Sequence, residues 1–206
     1  MRHALVWLLT TFLFAGTLYA EGLSLDDLEA RASKAPDEMS RLRDILSNPD
    51  PDAALRALSI VMEEGSLEQQ RIALEVGVTS TNPAIRRTAI EAYLNTKPAV
   101  TFSFDGSALG TSTFSWFKQY FQRTGSMTAE KIGQYTYSVG DYLEQNKCWS
   151  WANWPESCMF TITDENVTFF LRGVPGPAVL HPDGVVKGSV TVPNAGSVPF
   201  SFKVSL

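Results

Sequence analysis

The chain has 206 residues, of which 44% are hydrophobic and 19% charged, and its formal net charge is −5. This length allows one large domain or two small ones. The acidic balance and the absence of a basic stripe in the sequence argue against nucleic acid as a partner and against docking on anionic lipid.

The chain begins with the segment MRHALVWLLTTFLFAGTLYAEG. A charged start at Arg2 precedes an almost wholly apolar run from Ala4 to Gly16, and the small residue Ala20 follows. This pattern predicts a secretory signal peptide over residues 1–20. The alternative is an uncleaved N-terminal anchor, although a membrane-spanning helix needs about 20 apolar residues and this run is shorter. We therefore expect a periplasmic or secreted protein with no membrane span after the signal is removed.

The two cysteines of the chain, Cys148 and Cys158, enclose three tryptophans in the segment CWSWANWPESC. Disulfides form and persist in oxidising compartments, so export predicts that these two thiols are bonded to each other. A bonded pair cannot act as a nucleophile or a metal ligand.

Residues 21–97 carry the apolar periodicity of helices. Ser66 and Gln69 have the spacing of a capping box, and Asn82 followed by Pro83 is typical of a helix start. Farther along the chain, residues 98–206 alternate between apolar and polar residues, as in Val100, Phe102 and Phe104, which predicts strands.

The segments DPDAALRAL and NPAIRRTAIEAYL each combine a proline at the helix start with an arginine after the first aliphatic residue. On these segments the stretch Asp50 to Leu94 resembles HEAT-type repeats, and the resemblance implies stacked helical hairpins that act as a scaffold for protein contacts. An ordinary small helical bundle is the alternative, because the segments recur at a shorter spacing than the about 40 residues of a HEAT repeat.

The predicted fold class is therefore α+β. A short all-α array of helical hairpins is followed by an antiparallel β-sandwich or small β-barrel with one disulfide. Within the β region, the aromatic segment STFSWFKQYFQ is compatible with a helix or a strand, and its aromatic density favours a strand. We expect its rings to form the seam between the helical and β regions.

Histidine is scarce, which restricts the available chemistry. Of two histidines, His3 lies in the predicted signal peptide, which leaves His181 in the turn-like segment VLHPDG. A catalytic base needs an orienting partner, and a zinc site of the usual histidine-rich kind needs more than one histidine. The sequence therefore predicts no cofactor and no metal site, and it favours a protein that is not an enzyme.

The best candidate binding residues lie in and beside the disulfide segment. Trp149, Trp151 and Trp154 offer indole faces that anchor interfaces or stack on sugar rings, and Glu144 and Glu156 flank them. The alternative is that one or two rings fold under the loop and cover the end of the β core. We expect at least one ring to point inward and one outward.

These observations predict an exported, non-catalytic binding or interaction protein whose partner is another envelope or secreted protein. One alternative is a glycan-binding module that uses exposed tryptophans. Another is a polysaccharide hydrolase in which Glu144 and Glu156 form the carboxylate pair.

Overall fold

The structure, a computed structural model, describes residues 25–163 and 166–206. The predicted signal peptide, residues 1–20, lies outside the described residues. The chain divides into two compact units, Met1–Pro36 and Asp37–Leu206. In the first unit the described backbone, from Leu25, is the beginning of a helix. None of the helices in the described ranges is both long and apolar enough to cross a membrane.

The helices within the described ranges are α1 (Leu25–Leu46), α2 (Pro51–Glu64), α3 (Leu67–Thr79), α4 (Pro83–Asn95) and α5 (Thr111–Thr124). Ser66 caps α3 in a full capping box, in which the Ser66 N–H donates to Gln69 Oε1 at 2.8 Å. The Asn82 side chain caps α4, and Pro83 occupies its first turn. Both predicted helix starts are confirmed, because these caps satisfy backbone N–H groups that have no partner within the helix.

Helices α2, α3 and α4 pack on one another through small and aliphatic residues. Gly77 of α3 lies so close to α4 that a Cβ at this position would be 2.6 Å from the Ala89 Cβ. Leu58, Leu74 and Leu94 are fully buried in the same core. The resemblance of Asp50 to Leu94 to HEAT-type repeats stays a prediction.

The strands of the described chain are β1 (Ala99–Asp105), β2 (Ser126–Met127), β3 (Ile132–Leu143), β4 (Cys148–Trp151), β5 (Trp154–Thr163), β6 (Asn166–Leu171), β7 (Val174–Leu180), β8 (Val185–Val192) and β9 (Gly196–Lys203). From β3 to β9 each strand pairs antiparallel with the next one along the chain. Strand β1 pairs with β9 through Phe102 and Phe202, and with β3 through Phe102 and Tyr135. Eight of the described strands therefore close into an antiparallel β-barrel, and β2 adds a short pairing beside β3.

The α+β fold class is confirmed, and the barrel decides between the two β architectures that the sequence left open. The change from helix to strand falls between Asn95 and Ala99, and both parts belong to the compact unit Asp37–Leu206. The division into domains over residues 21–97 and 98–206 stays a prediction.

Phenylalanine rings fill the centre of the barrel. The Phe102 ring centroid lies 4.3 Å from that of Phe169 on β6 and 4.9 Å from that of Phe202 on β9. Phe160 on β5 joins the same stack at 6.0 Å from Phe102. Rings from strands on different sides of the barrel meet here, so side chains occupy this part of the interior.

The segment STFSWFKQYFQ lies in helix α5, so the expectation of a strand is wrong. Phe117 and Phe121 stand four residues apart on one helix face, and both are fully buried against the barrel. A Cβ at Gly106 would lie 2.5 Å from the Phe117 ring, and one at Gly133 would lie 2.6 Å from the Phe121 ring. Two glycines thus leave room for the rings that this helix places against the barrel, a tertiary feature that aromatic density does not encode.

Helices α4 and α5 lie at opposite ends of the barrel, because β1 begins after α4 and ends before α5. At the α4 end the Trp149 Nε1–H donates to Asn95 Oδ1 at 2.8 Å, and Lys97 forms an ion pair with Asp141. Contacts such as these join the helical array to the barrel. The α5 rings pack at the other end of the barrel, so the expectation that they form the seam between the helical and β regions is wrong.

Candidate functional site

The predicted disulfide is confirmed. Cys148 on β4 is bonded to Cys158 on β5, with their Cα atoms 5.6 Å apart. The two strands are joined by a turn at Ala152 and Asn153, across which Trp151 pairs with Trp154. The disulfide therefore fixes the base of the hairpin that carries the tryptophans.

The three tryptophans of this hairpin differ in environment. Trp149 and Trp151 are each only 5% exposed, and their indole N–H groups donate to Asn95 Oδ1 and to the Cys158 carbonyl. Trp154 is 60% exposed, and its ring meets that of Trp151 edge to face at 5.9 Å. Two rings thus belong to the packed structure, and Trp154 presents its indole to solvent.

The two predicted carboxylates lie at opposite ends of strand β4. Glu144 follows β3 at the α4 end of the barrel, whereas Glu156 lies two residues after Trp154 on β5. Both side chains are exposed. The binding role of Glu144 and Glu156 stays a prediction, as does that of the tryptophans.

The turn between β6 and β7 supplies a residue that the sequence reasoning missed. Leu171 pairs with Val174, so Arg172 and Gly173 form a two-residue turn, with φ of +51° and +81°. Positive φ at both positions is the pattern of a type I′ turn, which favours Asn, Asp or Gly at its first position. A non-glycine residue in the left-handed region costs about 1–2 kcal/mol, so Arg172 occupies a position where its backbone is disfavoured.

Helix α5 holds the Arg172 side chain in place. The guanidinium carbon lies 5.1 Å from the centroid of the Tyr120 ring, which is a cation–π contact. Beneath it, burial and contact with Tyr120 raise the pKa of Tyr137, and Arg172 partly opposes this increase. Arg172 therefore lies over the Tyr120 ring, and among the described residues it forms no ion pair with a carboxylate.

Two surface hollows meet at Arg172. The first, the Trp116 hollow, has a volume of about 510 Å³ and is lined by residues that include Trp116, Gln119, Arg123, Arg172 and Asn194. The second, the Trp154 hollow, has a volume of about 610 Å³ and is lined by residues that include Trp151, Trp154, Ser157, Phe170 and Arg172. Both volumes fall in the range of small-molecule sites.

We call this region the α5 rim, defined by Trp116, Tyr120, Arg123, Trp154 and Arg172. Trp116 is 51% exposed on the outer face of α5, so each hollow has one exposed indole. None of the described residues that line the two hollows is acidic or a histidine. The arrangement offers aromatic surface, guanidinium groups and neutral polar groups, which suits binding of an external molecule.

Trp116 and Arg172 left different signals in the sequence. The segment TFFLRGVPG places Arg-Gly between two strand-like runs, which is a turn signal with a long cation where a small polar residue is usual. The helical spacing of Phe114, Phe117 and Phe121 leaves Trp116 on the opposite face.

In the described residues no group of three His, Cys, Asp or Glu side chains lies close enough to hold a metal ion.

Comparison of the chain with protein-family models, with curated proteins and with solved structures finds no match.

Proposed function

We propose that this chain is an exported, non-catalytic binding protein of the cell envelope or extracellular space, and that the α5 rim is its binding face. The observation that carries the proposal is the Trp154 indole, which is 60% exposed above a hollow of about 610 Å³.

An exposed indole on a rigid support is characteristic of a recognition surface. Tryptophan is enriched among residues that dominate binding energies, because it buries a large area with few rotatable bonds. The buried Trp151 supports the Trp154 ring from below, and the Cys148–Cys158 disulfide joins the strands on either side. Little ordering of the rim is then required on binding, which favours affinity.

The residues of the rim support binding rather than catalysis. The two hollows have no described carboxylate or imidazole in their lining, so a general base is missing from the places where a ligand would sit. The exposed His181 lies in the turn between β7 and β8, at the α4 end of the barrel.

The proposed export rests on the disulfide together with the signal-like pattern of residues 1–20. Fractionation of the source cells, with thiols alkylated before lysis, tests it. We expect the protein outside the cytoplasm, with both cysteines protected from alkylation until a reductant is added. A cytosolic protein with both thiols modified would contradict export.

The binding face is tested by capture with matched variants. Wild type, Trp154→Ala and Ile60→Ala are immobilised and exposed to the extracytoplasmic fraction of the source cells and to an oligosaccharide set. Ile60, 57% exposed on α2, is the control for loss of an exposed apolar side chain. We expect a species that wild type and Ile60→Ala retain and that Trp154→Ala loses by about 10-fold or more. Equal retention of every species by all three proteins would refute the proposed face.

A further inference from the structure

We propose that the α5 rim binds an acidic saccharide, whose anionic group is held by Arg172 while its sugar rings stack on Trp154 and Trp116. This inference rests on the proposed function and names the ligand class of the same face.

The charge of the rim differs from that of the chain. The net charge of the protein is −5, yet the Trp116 hollow contains Arg123 and Arg172, and the Trp154 hollow shares Arg172. Within the described part of the chain, neither arginine forms an ion pair. A planar guanidinium donates two parallel hydrogen bonds to a carboxylate or sulfate, so these groups are suited to an anionic ligand.

The position of Arg172 in its turn gives a second reason to assign it a role. At φ +51°, this position of the turn favours asparagine, aspartate or glycine, and an arginine there is disfavoured. Lys97, Lys131 and Lys147 also have positive φ, so what distinguishes Arg172 is the place to which its turn brings the side chain. The conformation directs the chain so that the guanidinium lies over Tyr120, between the two hollows.

The remaining lining residues favour a saccharide over a peptide or a nucleic acid. Indole faces pack against the C–H groups of a pyranose ring, and the rim has one exposed indole in each hollow. Gln119, Asn194 and Ser157 supply neutral groups for sugar hydroxyls. Nucleic acid binding depends on neutralising many phosphates, which two arginines do not provide. The shared Arg172 suits an oligosaccharide that spans both hollows.

The test uses the intact, oxidised protein and titration calorimetry. The probes are three acidic oligosaccharides: tetragalacturonate, a chondroitin sulfate tetrasaccharide and a sialylated lactose. The methyl ester of tetragalacturonate is the matched neutral ligand, and a hexaglutamate peptide represents an acidic protein. The protein variants are Arg172→Asn, which keeps a residue suited to the turn, and Lys118→Gln, which removes a charge from α5 outside both hollows.

We expect at least one acidic saccharide to bind, with affinity about 10-fold or more lower for Arg172→Asn and changed less than about 2-fold for Lys118→Gln. If tetragalacturonate is the one that binds, its methyl ester is expected to bind about 10-fold more weakly. Failure of all three acidic saccharides, or equal losses in the two variants, would overturn the assignment. If only hexaglutamate binds, and its binding depends on Arg172, the ligand class is an acidic protein instead of a saccharide. That result overturns this inference and leaves the proposed function standing. The proposed function itself fails only on the separate capture experiment, if Trp154→Ala retains every species that wild type retains.

Discussion

The Trp149 indole N–H donates a 2.8 Å hydrogen bond to Asn95 Oδ1, and this contact ties the last turn of α4 to the first strand of the disulfide hairpin. Trp149 is 5% exposed, so its N–H depends on this acceptor. The helical array and the barrel are therefore coupled through a side-chain pair that is 54 residues apart in the chain.

Replacing Asn95 by alanine is expected to lower the free energy of unfolding by about 1 kcal/mol, because a nearly buried N–H group loses its acceptor. Urea unfolding of Asn95→Ala, Trp149→Phe and the double variant gives the coupling between the two side chains. Asn146→Ala, in the exposed turn between β3 and β4, is the control and is expected to change stability by less than about 0.5 kcal/mol. Additive effects of Asn95→Ala and Trp149→Phe would show that the hydrogen bond contributes nothing.

The packing of α5 on β3 predicts a size-dependent defect at Gly133. Gly133→Ala places a methyl group 2.6 Å from the buried Phe121 ring, so we expect a loss of about 1–3 kcal/mol. Gly133→Ala should cost less in a Phe121→Leu background than in the wild-type background, because the smaller side chain leaves room for the methyl group. Thermal unfolding measures both effects. If Gly133→Ala is as stable as wild type, α5 does not rest on this strand as described.

Reduction of the disulfide is expected to destabilise the protein by about 2.5–3 kcal/mol, since the bond closes a short loop in the unfolded chain. The measurement is the midpoint of thermal unfolding with and without reductant, compared with the Cys148→Ser, Cys158→Ser double variant. The double variant should respond little to reductant. An unchanged midpoint for the reduced wild type would contradict this expectation.

The turn at Arg172 predicts a difference between two substitutions that both remove the cation. Asparagine tolerates positive φ better than alanine does, so Arg172→Asn should be more stable than Arg172→Ala by about 1 kcal/mol. Both variants lose the contact with Tyr120, and the comparison therefore isolates the backbone. Equal unfolding free energies would show that residue 172 does not adopt the left-handed conformation in solution.

Stability should fall at alkaline pH because of Tyr93. Burial raises the pKa of Tyr93 to about 12, against an ordinary value of 10.0. Between these values the unfolded chain releases the proton that the folded chain retains, so stability is complete below about pH 10 and is lost as the pH rises toward 12. We expect Tyr93 to contribute a loss of about 1.4 kcal/mol per pH unit in this window, in addition to that from Tyr137, whose pKa burial also raises. The dependence should therefore be weaker, but not absent, in Tyr93→Phe. Unfolding of both proteins at about pH 9 and pH 11 tests the difference.

Local patterns in the sequence predicted much of the secondary structure. The capping residues Ser66 and Asn82 act within a few residues of their partners, so spacing alone identifies them. The alternation of Val100, Phe102 and Phe104 likewise reports one buried face. It does not distinguish a sandwich from a barrel. The barrel closes because β1 pairs with both β3 and β9, and these pairings join residues far apart in the sequence.

The candidate site was harder to predict from the sequence, because it too depends on contacts between residues far apart in the chain. The tryptophan segment was visible, but the selection of Trp154 as the exposed ring depends on the acceptors that Asn95 and the Cys158 carbonyl provide for the other two. Trp116 joins the rim because α5 is a helix, whose inner face packs its rings over Gly106 and Gly133 and leaves Trp116 exposed. Arg172 lies between them only once the β6–β7 turn is placed beside α5.

The position of β1 between β9 and β3 has a consequence for the order of assembly. The earliest strand to be synthesised cannot gain its second neighbour until the final one has emerged, as far as Phe202. The barrel therefore stays open until synthesis of its strands is complete, and it closes in a late, non-local step that pairs β1 with β9.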